Sequence, residues 1–384
     1  MKKIIKRIVW LCCVLVLVFL LGRPVYQSIC NLDFIRMISK NYLSMVGPET
    51  EHLQRVSNGR YFYEGLDEET KLVYDQMVDA VMNFKEDVVV DTLKESVIES
   101  AYRSMMLDYS EIFWINGYNM KTISIGDSVA GISITPIYTM KQEKQERIIK
   151  QIEEATAPFL EGIDQDADEY EKVCSVYEYI IKNTNYCMDI SESQNIISTF
   201  LKKESVCMGY AKGVQYLLEK LGVQCVTLTG YAGGESHAWN MVFIDGEPYL
   251  LDATWGDPSY TNEVLEEETF INYAYLCVTT KELEQTHTLD AYISIPECVA
   301  VQNNYYVREG QYLEAYDKEQ VRELFQKTKN LGKHYITLKF ASEEVYRQAV
   351  QRLIEKGEAV SFAPYLEKII YIEYEDLRVL TILL

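Results

Sequence analysis

Between Ser205 and Pro258 the chain sets a cysteine, a histidine and an aspartate in order: Cys207, His237 and Asp252. These are the side chains that thiol-based acyl transfer needs. A thiolate attacks a carbonyl carbon, an imidazole manages the proton, and a carboxylate holds the second imidazole nitrogen. From Cys207 onward, apolar residues recur at Tyr210, Ala211, Val214, Leu217, Leu218 and Leu221, one face of a helix, with Gly222 as its stop. Cys207 then lies on the first turn, where unpaired N–H groups and the positive end of the helix dipole stabilise a thiolate.

The other two residues fall on a predicted hairpin. Asp245-Gly246 separates the run from His237 to Ile244 from Tyr249-Leu250-Leu251-Asp252, a strong two-residue turn signal. With that turn Ile244 faces Glu247, Asp252 comes opposite Trp239, and His237, Trp239 and Asp252 share one face. A turn that also takes in Glu247 and Pro248 would keep the face but set Asp252 opposite Met241. A three-residue turn would send it to the wrong side.

Three motifs in this order resemble the bacterial transglutaminase-like superfamily: Ser-Val-Cys-Met-Gly-Tyr-Ala at 205 to 211, His-Ala-Trp-Asn at 237 to 240, and Leu-Asp-Ala-Thr-Trp-Gly-Asp-Pro at 251 to 258. The likeness runs from Asp168 to Asp290, taking in the Asn-Tyr-Ala-Tyr-Leu and Thr-His-Thr segments. It implies a papain-like cysteine fold, with Cys207 as nucleophile, His237 as general base and acid, and Asp252 as orienter. The family includes transamidases, peptidases and deglycosylating amidases, so the resemblance implies chemistry at amide bonds of a protein or peptide; hydrolysis is slightly favoured over transamidation, because nothing in the sequence marks an amine site. The rival reading is a catalytically silent relative that uses the cleft to bind peptide or cell-wall material.

Each residue also has a plainer reading: Cys207 as a small buried hydrophobe among nine cysteines, His237 as a core histidine, Asp252 as a turn residue closing on Thr254. For the oxyanion, the Cys207 N–H supplies one donor, and Gln194 or Asn195 upstream is a candidate for the second, or simply polar loop. Trp239 and Trp255 either wall the cleft or pack beneath it. No Cys-x-x-Cys is present and none of the four histidines, His52, His237, His287 and His334, pairs at zinc-ligand spacing, so no metal and no cofactor is expected. Gly-Tyr-Ala-Gly-Gly at 230 to 234 lacks the lysine of a phosphate loop and reads as a flexible loop leading to His237.

Composition and pattern set the rest. Lys2, Lys3, Lys6 and Arg7 precede an apolar run from Ile8 to Leu21 with no small-residue cleavage site after it. An uncleaved membrane anchor is expected over a secretory signal, with the N-terminus inside and the remainder extracytoplasmic. The net charge is −21, which disfavours nucleic acid as a partner and favours solubility. The seven cysteines beyond the apolar run are odd in number and sparsely spaced, so no disulfide scaffold is indicated. Helices are predicted over Leu66 to Met82, Asp91 to Met106 and Lys141 to Ala157, and a strand pair over Lys121 to Tyr138 turning at Gly126-Asp127. After Ala300 a strand at Tyr335 to Phe340, a helix from Glu343 to Lys356 and paired runs Ile369 to Tyr374 and Arg378 to Leu384 make a small α+β module. The expected class is α+β: a membrane segment at 1–28, a mixed helical and β region at 29–165, a papain/transglutaminase-like catalytic core at 166–298, and the C-terminal module at 299–384.

Overall fold

The computed structural model describes residues 57, 59–125, 128–188, 193–257, 270–364 and 369–384. The expected anchor from Ile8 to Leu21 and the expected turn at Gly126-Asp127 lie outside them. Among the described residues no helix is long and apolar enough to cross a membrane. They divide into two units, one within Met1–Met106 and Trp114–Gln142, the other formed by Leu107–Phe113 and Glu143–Leu384.

In the first unit, helix α1 (Glu68–Met82) begins where the Asp67 carboxylate accepts the Thr70 N–H at 2.9 Å. Its buried side chains Val73, Tyr74, Met77, Val78 and Val81 follow helical spacing. Helix α2 (Glu95–Asp108) buries Ile98, Ala101 and Met105. The sheet has the antiparallel order β1-β3-β2, from Val88–Val90 (β1), Ile115–Ile125 (β2) and Ser128–Tyr138 (β3). β2 starts earlier than the alternation from Lys121 predicts, because the pairing shifts register between Ile115 and Tyr118, where Gly117 has φ 126°.

The second unit holds the site. Helix α3 (Gln142–Gly162) ends where an acidic run, Glu161 to Glu171, begins, and α4 (Glu169–Asn183) starts in a capping box: Asp168 accepts the Glu171 N–H and Glu171 reaches back to the Asp168 N–H. Five of its buried residues, Tyr170, Val173, Val176, Tyr177 and Ile180, recur at the spacing of one helix face. Helix α5 (Cys207–Lys220) is buried almost all round from Gly209 to Leu218. Its start is held so tightly that a Cβ on Gly209 would lie 1.9 Å from Ser205 Oγ. The segment Leu107–Phe113 packs on this helix: the Lys212 ammonium donates to the carbonyls of Leu107 (3.3 Å) and Tyr109 (3.1 Å), and Gln215 Nε2 donates to that of Asp108 (2.9 Å).

Four antiparallel strands follow: β4 (Cys225–Ala232), β5 (Glu235–Ile244), β6 (Glu247–Leu251) and β7 (His287–Leu289), in the order β6-β5-β4-β7. The β5-β6 turn is the predicted two-residue one: Ile244 pairs with Glu247, and Asp245 and Gly246 take φ 53° and 81°. The glycine-rich stretch is corrected. Gly230, Tyr231 and Ala232 are the end of β4, paired with His237, Ser236 and Glu235, and only Gly233 and Gly234 make the turn. Gly230 is needed there for closeness, since a Cβ would lie 2.1 Å from the Thr288 carbonyl oxygen.

The C-terminal sheet has the order β8-β9-β11-β10, from Tyr312–Leu313 (β8), Tyr335–Phe340 (β9), Tyr371–Tyr374 (β10) and Val379–Leu383 (β11). With α6 (Lys318–Asn330) and α7 (Glu343–Val350) it encloses a core that includes Leu313, Val321, Phe325, Leu338, Phe340, Leu380 and Ile382. The predicted helix to Lys356 is α7 continued by a single π turn, Gln351–Glu355. Lys339 on β9 is buried and pairs with Glu282 at 2.6 Å, joining this module to the segment before β7.

Candidate active site

Cys207 is half-buried at the first position of α5, after Val206, which caps the helix with no side-chain hydrogen bond. The Val206 carbonyl accepts from Gly209 and Tyr210, while the N–H groups of Cys207 and Met208, in the first turn, have no intrahelical acceptor. The Val206 N–H donates to the Ser193 carbonyl at 3.2 Å, and Ser205 Oγ does so at 2.7 Å. That fastens the residue next to Gln194 beside the start of the helix. Gln194 itself is exposed, and Asn195 turns its side-chain oxygen onto the Ile197 N–H at 2.9 Å.

His237 is buried on β5, and its Nε2 lies 2.7 Å from Asp252 Oδ2. Nδ1 is thereby left free of Asp252, and the Cys207 side chain is close enough to His237 to act on its charge. Burial works against a charged imidazole, but the Asp252 carboxylate and, less strongly, Cys207 outweigh it and push the His237 pKa up to about 10. An imidazolium beside Cys207 favours the thiolate.

Asp252 follows β6 directly. The strand pairing ends with Asn240 facing Leu251, so Asp252 lies one residue beyond the ladder, next to the expected position opposite Trp239 but not paired with it. It is fully buried and caps the short turn Ala253–Gly256, Oδ1 accepting the N–H groups of Thr254 (2.8 Å) and Trp255 (3.1 Å). The turn contacts and the contact to His237 therefore coexist, one set on each carboxylate oxygen. The backbone is held as well: the Asp252 N–H donates to the Tyr275 carbonyl at 3.0 Å. From α4, the Tyr177 hydroxyl donates to the Asn272 carbonyl at 2.8 Å and lies 3.3 Å from that of Asp252. Burial alone would raise the Asp252 pKa, but the charge and hydrogen bond of His237 and the hydrogen bond of His287 hold it well below the usual carboxylate range.

His287 is the residue the sequence reading passed over. Its Nε2 lies 3.0 Å from the same Asp252 Oδ2, and its Nδ1 2.7 Å from Thr286 Oγ1. The expectation drawn from histidine spacing is corrected to this extent: donor atoms of His237, Asp252 and His287 come within 4.8 Å of one another. Both Nε2 atoms are already engaged with the carboxylate, so hydrogen bonding accounts for the cluster. Trp239 is buried and stacks near His237, with centroids 6.1 Å apart and planes at 20°. Trp255 is half-buried, 6.2 Å from His237 and 4.9 Å from His287. Trp239 thus packs beneath the site, while Trp255 stays partly exposed beside it.

Residues 158–253 match the family described as the Transglutaminase-like superfamily. The chain carries a transglutaminase-like core. Kyphoscoliosis peptidase of Mus musculus is 28% identical over 106 residues, 22% of this chain and 16% of the mouse protein. The Homo sapiens protein of that name is 27% identical over 128 residues, 28% of this chain and 19% of the human one. The chain thus spans less than a fifth of the length of these curated relatives. It is also similar to a solved TGase, at 16% identity and a TM-score of 0.25 over 36% of this chain and 44% of that one.

Proposed function

We propose that this transglutaminase-like core is a cysteine enzyme that cleaves amide bonds of a protein or peptide through a thioester on Cys207. The observation that carries the reading is the connected set Cys207, His237 and Asp252, with Asp252 on Nε2 of His237 at 2.7 Å and Cys207 near enough to raise the His237 pKa. The Cys207 thiolate attacks the carbonyl carbon, and a Cys207 N–H left open by the helix start stabilises the oxyanion, with Gln194 as candidate second donor. The C–N bond breaks as the His237 imidazolium gives its proton to the leaving amine. Neutral His237 then takes a proton from water, whose oxygen attacks the thioester; the acid leaves and the Cys207 thiolate is restored beside the imidazolium. An amine in place of water would give a new amide instead. Hydrolysis is favoured because the two curated relatives carry the name peptidase.

A thiol-directed electrophile bearing an amide-like recognition element should label wild-type protein on Cys207, and Cys207→Ala should lose labelling and turnover while keeping its far-UV circular dichroism. Equal labelling of the variant would remove Cys207 from the mechanism. The same reading keeps the placement expected from the N-terminal segment, an enzyme tethered to the membrane with its catalytic core outside. Membrane fractions of expressing cells should then retain the chain through carbonate washing and expose Cys207-containing peptides to external protease. Protection from protease would reverse that placement.

A further inference from the structure

We propose that His287 is a positioning residue of this site: it donates a second imidazole N–H to Asp252 and so fixes the carboxylate that orients His237. The inference rests on the reading of Cys207, His237 and Asp252 as the acyl-transfer set. Asp252 Oδ1 is committed to the N–H groups of Thr254 and Trp255, at 2.8 and 3.1 Å, which leaves Oδ2 to serve both rings. His237 Nε2 reaches it at 2.7 Å and His287 Nε2 at 3.0 Å. An ionised carboxylate accepts hydrogen bonds and donates none, so both Nε2 atoms must carry hydrogen. In neutral His287 the opposite nitrogen is then an acceptor, and the Thr286 hydroxyl, 2.7 Å away, gives it the one hydrogen that would otherwise go to the Leu283 carbonyl at 3.3 Å. Asp252 thus selects the His287 tautomer, and Thr286, whose hydroxyl can donate as well as accept, is compatible with it.

The surroundings hold the ring in that role. His287 is 3% exposed, with Trp255 and Trp239 at centroid distances of 4.9 and 5.1 Å. Its backbone is pinned by the pairing of β7 with the end of β4, where Ala232 faces His287. This pairing depends on the bare Cα of Gly230, which lets Thr288 approach. Four donors on one buried carboxylate make it a poor proton acceptor, so the proton shared between His237 and Asp252 stays on the imidazole. Without His287 the Oδ2 atom would keep one donor and an unfilled lone pair in a buried site, free to accept the proton or to turn away from His237. His287 thus acts through Asp252 rather than on the substrate.

The test uses the full chain and iodoacetamide, with alkylation of each cysteine followed by mass spectrometry. Wild-type Cys207 should react much faster than Cys187, which is also half-buried. His287→Leu removes the donor and should slow Cys207 alkylation by about 10-fold or more. His287→Gln places an amide N–H near the position of Nε2 and should restore the rate to within about 3-fold of wild type. A folded His287→Leu protein with wild-type reactivity, or a Gln variant as slow as the Leu variant, overturns the inference while leaving the nucleophile in place. Should the Leu variant not fold, nitrogen-15 spectra of histidine in the wild-type protein decide: hydrogen on Nε2 and a bare Nδ1 at His287 support it, and the opposite tautomer overturns it. If wild-type Cys207 reacts no faster than Cys187, the nucleophile assignment itself has failed, and the inference falls with it.

Discussion

Replacing Asp252 by asparagine tests the site at the point where most of its hydrogen bonds meet. The exchange keeps size and keeps a carbonyl oxygen for the Thr254 and Trp255 N–H groups, which Oδ1 accepts at 2.8 and 3.1 Å. What changes is the atom facing His237 and His287, at 2.7 and 3.0 Å: an acceptor becomes an NH2 donor. To avoid opposing hydrogens, His237 must turn its bare nitrogen to the new amide and carry hydrogen on the nitrogen that faces Cys207. In that tautomer it cannot take the thiol proton. The corresponding loss in a serine triad is about 10⁴-fold in kcat, and a loss of about 10³ to 10⁴-fold is expected here. Two charge-assisted hydrogen bonds also go, for a destabilisation of about 2 to 4 kcal/mol. The pH profile of Cys207 alkylation by iodoacetamide reads the change directly. In wild type the imidazolium persists to about 10; in the variant the limb should move toward the ordinary histidine value of about 6.5. A variant with an unshifted limb and unchanged rate would refute the tautomer argument, whatever its stability.

Two further outcomes follow from the same geometry. The His237 pKa is raised, so its contribution to stability is full below about 6.5 and is lost as pH rises through about 10. Asp252 is depressed, so its contribution is full above about 3.9 and is lost as pH falls below the carboxylate range. Melting temperature measured across pH should fall at both ends more steeply in wild type than in Asp252→Asn; parallel curves would show that the pair does not govern acid and alkaline unfolding. Gly230→Ala puts a Cβ 2.1 Å from the Thr288 carbonyl oxygen and 2.8 Å from Trp239, so β7 must shift with His287 at a cost of about 1 to 3 kcal/mol. A urea midpoint equal to wild type would show that the strands tolerate the methyl group.

What could be read from the sequence was local, and what was missed was not. Turn chemistry and strand alternation put Asp252 and His237 on one face because a hairpin carries its own register, and helix periodicity placed Cys207 on a first turn. His287 escaped because β7 is three residues long and pairs with a strand more than fifty positions earlier, with no turn signal linking them. Helix α6 escaped for another reason: it buries only Val321, Phe325 and Thr328, with Leu324 partly buried beside them, and the rest is polar or charged, so its stripe is faint. The stretch at 230 to 234 was misread because glycine signals both a bend and a close approach, and Gly230 is the second kind.

The carbonyls that receive Lys212 come from a stretch of chain that is separated, in sequence, from everything else in the second unit. Burial drops the Lys212 pKa to about 8, against the pull of Glu219, Glu111 and Asp108, so those oxygens accept from an ammonium with little water to fall back on. A fragment cut to begin at residue 143, or at the edge of the family match at 158, would look complete by homology and yet lack Leu107 and Tyr109. It would take two carbonyl acceptors from the Lys212 ammonium and uncover the helix that carries the thiol, at a cost of about 1 to 3 kcal/mol. The smallest piece of this chain able to stand alone is therefore discontinuous, and excising the core cleanly would require grafting 107–113 back by a new connection.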